Sequence, residues 1–172
     1  MVEGFIEVSP TGRYSHGRIA NRLRDELVVF LAQGDCRARQ DMIVVHKRKV
    51  WIPDLFIALE DAEQHVTEDG LGIDASAVEL IAEVVSPGKE FLERDRERKR
   101  RAYARAGIPV YVIIDDYDGH GTVSVLAGPV PSEARYASEV RMPYGTEVII
   151  PEGPGKGFVI GQAITGALRG GD

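Results

Sequence analysis

Apolar residues recur at spacings of three and four through Ile19, Leu23, Leu27, Phe30 and Leu31. This predicts an amphipathic helix over about 15–32 with one stripe turned to a core. His16 falls in its first turn, and Gly34 stands just past its end as the expected C-cap. Upstream, residues 1–8 alternate as a short strand does, closed by the turn signal Ser9-Pro10-Thr11-Gly12. Downstream, CRARQDMIVV and VWIPDLFIAL predict two antiparallel strands joined by a basic turn at His46 to Lys49. Pro53 cannot donate to a ladder, so the second strand is expected at a sheet edge or a bulge. The polar stretch Glu60 to Ala77, with Gly70 and Gly72, is expected to be a mobile surface connection.

The stretch from Val78 to Ser86, VELIAEVVS, is short, apolar and β-branched, yet it holds two carboxylates. Strand alternation puts Glu79, Ile81, Glu83 and Val85 on one side, and Val78, Leu80, Ala82 and Val84 on the other. Glu83 thus points where a plain strand would carry a valine. An ionised carboxylate there is costly unless a metal, a cation or several donors meet it. After the turn Ser86-Pro87-Gly88, a helix is predicted over about 90–106, stopped by Gly107 and Pro109. Asp95, Lys99 and Tyr103 are four apart and share one face of it. That face is either an exposed ion pair or the side leaning on the sheet. IPVYVII at 108–114 predicts a strand buried on both faces, and Thr122 to Leu126 its hairpin return. Two further short strands are expected near 147–150 and 158–160, among prolines and glycines. Mixed strands and helices over 172 residues imply an α/β (α+β) fold in a single domain, 1–172.

Composition narrows the class. Hydrophobic residues at 44% and charged residues at 28% suit a soluble globular chain. No apolar run reaches the roughly 20 residues that span a bilayer, and the N-terminus lacks the pattern of a secretory signal. The single cysteine, Cys36, excludes an internal disulfide framework and fits a cytoplasmic location. The net charge of −6 argues against bulk electrostatic capture of nucleic acid. However, residues 89–105 hold eight Lys or Arg against four Asp or Glu, one basic helix on an acidic body.

Asp54 and Glu83, if brought together at strand positions, form a hard-oxygen pair suited to Mg²⁺ or Mn²⁺. The backbone carbonyl of Val84 or Val85 could add a further oxygen. Such an ion activates water and offsets charge on a phosphoryl oxygen, and Lys99 would be a cation beside the same phosphate. One cysteine and four scattered histidines give no zinc spacing, and no phosphate-binding glycine loop or serine elbow is present.

Asp54 in IPDLFIAL, Glu83 in LIAEVVSPGKE, and Asp95, Lys99 and Tyr103 in RDRERKRRAYARAGIPVYVIID carry a resemblance. The pattern resembles the Uma-two family of restriction endonucleases, a branch of the PD-(D/E)XK nuclease superfamily. The match runs from about His16 to Asp115. It implies a restriction-endonuclease-like core, a mixed central sheet flanked by helices. It further implies Asp54, Glu83 and Lys99 as catalytic residues, with Asp54, Glu83 and the Val84 backbone around Mg²⁺ or Mn²⁺. The superfamily pattern has a lysine two residues after the glutamate; here Val85 stands there, followed by Ser86, and Lys99 is the matching cation from the next helix. Glu3 and His16 correspond to further family positions. Tyr103 is expected to pack, with its hydroxyl at the edge of the site. Glu79 is either a supporting acid or simply exposed, and Asp41 is a candidate on a neighbouring strand. Arg94, Arg98 and Arg101 are expected on a solvated face rather than as a DNA clamp.

The function this implies is metal-dependent hydrolysis of DNA, carried out by a homodimer whose two sites address two strands. The competing reading is a non-catalytic binding or scaffold protein on the same fold, favoured by the acidic net charge and by Val85. A hydrolase of another phosphate ester would use the same oxygen cluster.

Overall fold

A computed structural model describes residues 13–167; Glu3 and the expected strand over 1–8 lie outside the described residues. Helix α1 (Tyr14–Phe30) forms where the apolar spacing put it and buries Ile19, Ala20, Leu23 and Leu27. Its cap is Leu31 in a right-handed conformation, so Gly34 does not serve as the left-handed C-cap.

Between residues 36 and 59 the chain forms four strands rather than two. They are β1 (Cys36–Arg39), β2 (Ile43–His46), β3 (Lys49–Trp51) and β4 (Leu55–Leu59). The basic turn exists, but it joins β2 to β3, whereas β1 pairs antiparallel with β4. Pro53 explains the division. It has no N–H and interrupts the extended run, so the residues before and after it enter different sheets. It precedes β4 and does not mark an edge, because β4 lies between β1 and β6 (Val78–Val84). Asp41 sits in the turn before β2, exposed and left-handed at φ 56°, and not on a strand. The segment 60–77 is also more ordered than a polar composition suggests. It contains β5 (Gly72–Asp74), which pairs in parallel with β2 and completes a three-stranded sheet β3-β2-β5.

The main sheet has six strands in the order β1-β4-β6-β7-β8-β9, with β7 (Val110–Asp115), β8 (Thr122–Val130) and β9 (Arg135–Pro143). Only the β6–β7 pair is parallel, so the sheet is mixed. Strand β9 carries no apolar alternation, since it is an edge strand with mostly exposed residues. The short pair β10 (Val148–Ile149) and β11 (Val159–Ile160) matches the expected C-terminal strands, and α2 (Gln162–Thr165) follows.

The basic helix spans 89–106 as one rod in three parts: helical turns over Lys89–Glu93, a π-helical turn over Arg94–Lys99, and helical turns again over Arg100–Ala106. Gly107 closes it at φ 78°, as a glycine C-cap should. The sheet lies between helices. Leu55, Leu80, Ala82, Val84, Val112 and Ile114 pack on one face with the α1 stripe, while Phe56, Ile81, Val85, Tyr111 and Ile113 pack on the other with Tyr103 and Ala104. The architecture is the expected α/β one with a mixed central sheet flanked by helices. Among the described residues no helix is long and apolar enough to cross a membrane.

Candidate active site

Glu83 reaches the site through strand alternation. Its neighbours Ile81 and Val85 enter the core on the side of the 89–106 rod, and Glu83 is 2% exposed on that same side. The start of β6 departs from the simple pattern. Ala58 pairs with Val78 and Ile57 with Leu80, so Glu79 is the extra residue of a bulge. The bulge turns Val78 to the face of Ile81 and carries Glu79 toward Gly153 on the other face. Glu79 is thus not a partner of Glu83.

Asp54 precedes β4, whose Leu55 pairs with Ala82, so it stands beside the end of β6 that carries Glu83. The Val84 N–H donates to Asp54 Oδ2 at 2.7 Å, and His16 Nε2 lies 3.1 Å from the same oxygen. His16 is there because the first turn of α1 lies over this end of the sheet. From the other face come Lys99 and Tyr103. Lys99 Nζ is 2.8 Å from Glu83 Oε1 and 3.2 Å from Asp95 Oδ1, and the Tyr103 hydroxyl donates to Glu83 Oε1 at 2.6 Å. The face Asp95-Lys99-Tyr103 is therefore turned inward, and its i,i+4 ion pair is buried rather than solvated.

The structure adds residues that spacing alone did not single out. Arg94 is buried and forks Asp95, with Nε 2.9 Å from Oδ1 and Nη2 3.2 Å from Oδ2. Its guanidinium also covers the Phe91 ring, 4.9 Å from the centroid. The expectation of a solvated face is thus corrected for Arg94, because a buried Asp95 needs a charged partner. It holds for Arg98 and Arg101, which are exposed. The Tyr111 hydroxyl donates to the Asp95 carbonyl at 2.9 Å. Trp51, from the small sheet, meets the Tyr103 ring edge-on at 5.2 Å between centroids. Ser86 is buried just after β6, and among the described residues no hydrogen bond joins it to Asp54, Glu83 or Lys99. No sequence signal marked Arg94, since an Arg-Asp pair in a basic helix reads as surface.

Three carboxylates, Asp54, Glu83 and Asp95, thus face Lys99, Arg94 and His16. Burial raises the Glu83 carboxyl most; Lys99 pulls it back, Asp54 and Asp95 push it up, and it stands at about 7. Burial also opposes ionisation of Asp54, but the His16 hydrogen bond and charge, the Val84 N–H and Lys99 together hold it below the usual carboxylate range. His16 is raised, first by its bond to Asp54 and against burial. Lys99 is raised too, since Glu83 and Asp95 outweigh the burial that would lower it.

The donor chemistry fits a hard divalent cation. Among the described residues the contacts of Asp54 fall on Oδ2 and those of Glu83 on Oε1, which leaves the second oxygen of each clear of them. Among the described residues no group of three or more His, Cys, Asp or Glu side chains is arranged to hold a metal ion by itself. Further ligands would have to be backbone oxygens or water, as is usual for Mg²⁺.

The family model Uma2, described as "Putative restriction endonuclease", matches residues 1–159. The chain belongs to the Uma2 family. No curated protein matches it. Among solved structures, this Uma2 chain is similar to the crystal structure of a "putative nuclease belonging to DUF820" from Anabaena variabilis ATCC 29413. The TM-score is 0.64 at 15% identity, over 87% of this chain and 79% of that one. At that identity the likeness is one of fold, a nuclease fold. The family match spans the elements that carry His16, Asp54, Glu83, Asp95, Lys99 and Tyr103.

Proposed function

We propose that this protein is a metal-dependent endonuclease of the PD-(D/E)XK type, which hydrolyses DNA phosphodiester bonds. The observation that carries the reading is Lys99 Nζ at 2.8 Å from Glu83, supplied from the helix where Val85 leaves the strand without a cation. Asp54, Glu83 and the Val84 carbonyl would hold Mg²⁺ or Mn²⁺. The bound ion would supply Lewis-acid charge at a phosphoryl oxygen and make water acidic enough to attack.

The side chains have separable tasks. Asp54 is kept ionised by His16 and the Val84 N–H, so a ligand with full negative charge is ready at neutral pH. Burial raises the Glu83 carboxyl to about 7, and a cation beside it would favour the ionised form. Lys99 stays protonated and would balance charge that develops on the scissile phosphate. Tyr103 and His16 act as orienting partners, each fixing one carboxylate oxygen.

The test is nicking of supercoiled plasmid with Mg²⁺ or Mn²⁺, wild type beside Asp54→Ala, Glu83→Ala and Lys99→Ala. Ion-dependent nicking lost in all three supports the reading. Nicking that persists in the Asp54 and Glu83 variants sinks it. A folded wild type that binds neither ion nor cuts would favour a non-catalytic role, with Lys99–Glu83 as a structural bridge. A homodimer, whose two sites would address the two strands, is part of the same proposal, and light scattering on the same sample tests it.

A further inference from the structure

We infer that Tyr111 is a positioning residue that acts through Lys99, by holding the π-helical turn over Glu83. This rests on the role proposed for Lys99, although the position of Lys99 can be tested without any cleavage. Widening a helix to i→i+5 bonding removes backbone groups from the regular ladder, and such turns persist only where something else supports them. Here the widened turn is Arg94–Lys99, the segment that carries Asp95 and Lys99. The Tyr111 hydroxyl donates to the Asp95 carbonyl inside that turn at 2.9 Å.

Tyr111 is well placed for this. It pairs with Ile81 across β6 and β7, two residues before Glu83 on the same face, and it is wholly buried. Its ring meets Tyr103 edge-on at 5.0 Å, so its position is fixed independently of its hydroxyl. The geometric gain is in register. Residues four apart in an α-helix drift by about 40° in one sense, and a wider turn offsets that drift. Asp95 and Lys99 then point into one site together with Tyr103, which lies beyond the turn. Without the Tyr111 bond, the Asp95 carbonyl would be buried without that partner. The chain would relieve this by returning to i→i+4 bonding, which turns Lys99 away from Glu83.

The experiment compares wild type with Tyr111→Phe and Tyr136→Phe. Phenylalanine keeps the ring packing at both positions. Tyr136 is the control, because its buried hydroxyl has no hydrogen-bond partner among the described residues. The first readout is the rate at which Lys99 is modified by an amine-reactive reagent, located by peptide mass spectrometry. Tyr111→Phe should raise it about tenfold, the factor set by loss of one buried hydrogen bond. Tyr136→Phe should leave it unchanged. The second readout is a cycle of Tyr111→Phe with Lys99→Ala on the nicking rate, where the double variant should be no slower than Lys99→Ala alone. An unchanged Lys99 rate in folded Tyr111→Phe, an equal rise in Tyr136→Phe, additive losses in the cycle, or failure of Tyr111→Phe to fold would each overturn the inference. If wild type does not nick DNA, the endonuclease reading falls while the labelling result still decides the role of Tyr111.

Discussion

Lys99 and Glu83 come from different elements, a helical turn and a central strand, and meet with Nζ 2.8 Å from Oε1 in a site where the lysine side chain is 14% exposed. A buried pair of this kind is costly to break from one side, because the remaining charge loses its partner.

Removal of Lys99 should therefore be felt in both stability and rate. Lys99→Ala is expected to lose on the order of 3 kcal/mol of stability and to slow nicking by roughly 10²–10³-fold. Val85 lies on the Glu83 side of β6 in the same core cluster as Tyr103. A lysine placed there should restore part of the rate in the Lys99→Ala, Val85→Lys protein. Plasmid nicking with parallel urea melts checks both; a folded double variant as slow as Lys99→Ala would disprove the equivalence of the two positions.

Stability should depend on the proton carried by Glu83. Its folded carboxyl titrates at about 7 against an ordinary value of 4.5, so the folded state holds the proton more tightly than the unfolded chain. The stabilising contribution is then full below about pH 4.5 and is lost as pH rises to about 7, by on the order of 3 kcal/mol. Asp54 has the opposite sign, and its contribution is lost only as pH falls through its depressed folded value. Denaturant melts between pH 5 and 8 in a chelator should show the Glu83 slope in wild type and a flatter line in Glu83→Gln. Equal slopes in the two proteins would contradict this.

His16 should matter to the ion more than to the fold. It contacts Asp54 Oδ2 at 3.1 Å, and partners that orient ligand carboxylates commonly affect metal affinity by about 10–100-fold. Calorimetric titration of Mn²⁺ into His16→Ala should show a loss of that size, and unchanged affinity would remove His16 from the site.

Trp51 is the single tryptophan of the chain and touches the Tyr103 ring whose hydroxyl holds Glu83. Its fluorescence should change when Mg²⁺ or Mn²⁺ is added to wild type, and the change should disappear in Glu83→Ala. An ion response that survives that substitution would mean binding elsewhere.

Much of this was legible in the chain. The α1 stripe, the buried strand with Glu83 facing one way, the helix stopped by Gly107 and the apolar β7 each follow from short-range periodicity and local stereochemistry. These signals are strong because they act between residues a few positions apart. The pairing of CRAR with LFIAL, the assignment of β2, β3 and β5 to a second sheet, and the edge strand β9 were not legible, because sheet partners are chosen by long-range packing. The bulge that separates Glu79 from Glu83 is of the same kind, a one-residue register shift with no local mark.

The sequence by itself singled out Glu83, as a carboxylate inside an apolar strand, and the resemblance to the Uma-two pattern added Asp54 and Lys99 as candidates beside it. It left two readings of Asp95 and Lys99, since an i,i+4 ion pair has the same spacing in water or in a core. Only the tertiary structure decided between them. Closing the rod 89–106 on the sheet buries that face, and a buried charge must find opposite charge and donors. Arg94 and Lys99 supply these to the Asp95 carboxylate, while Lys99 and Tyr103 supply them to Glu83.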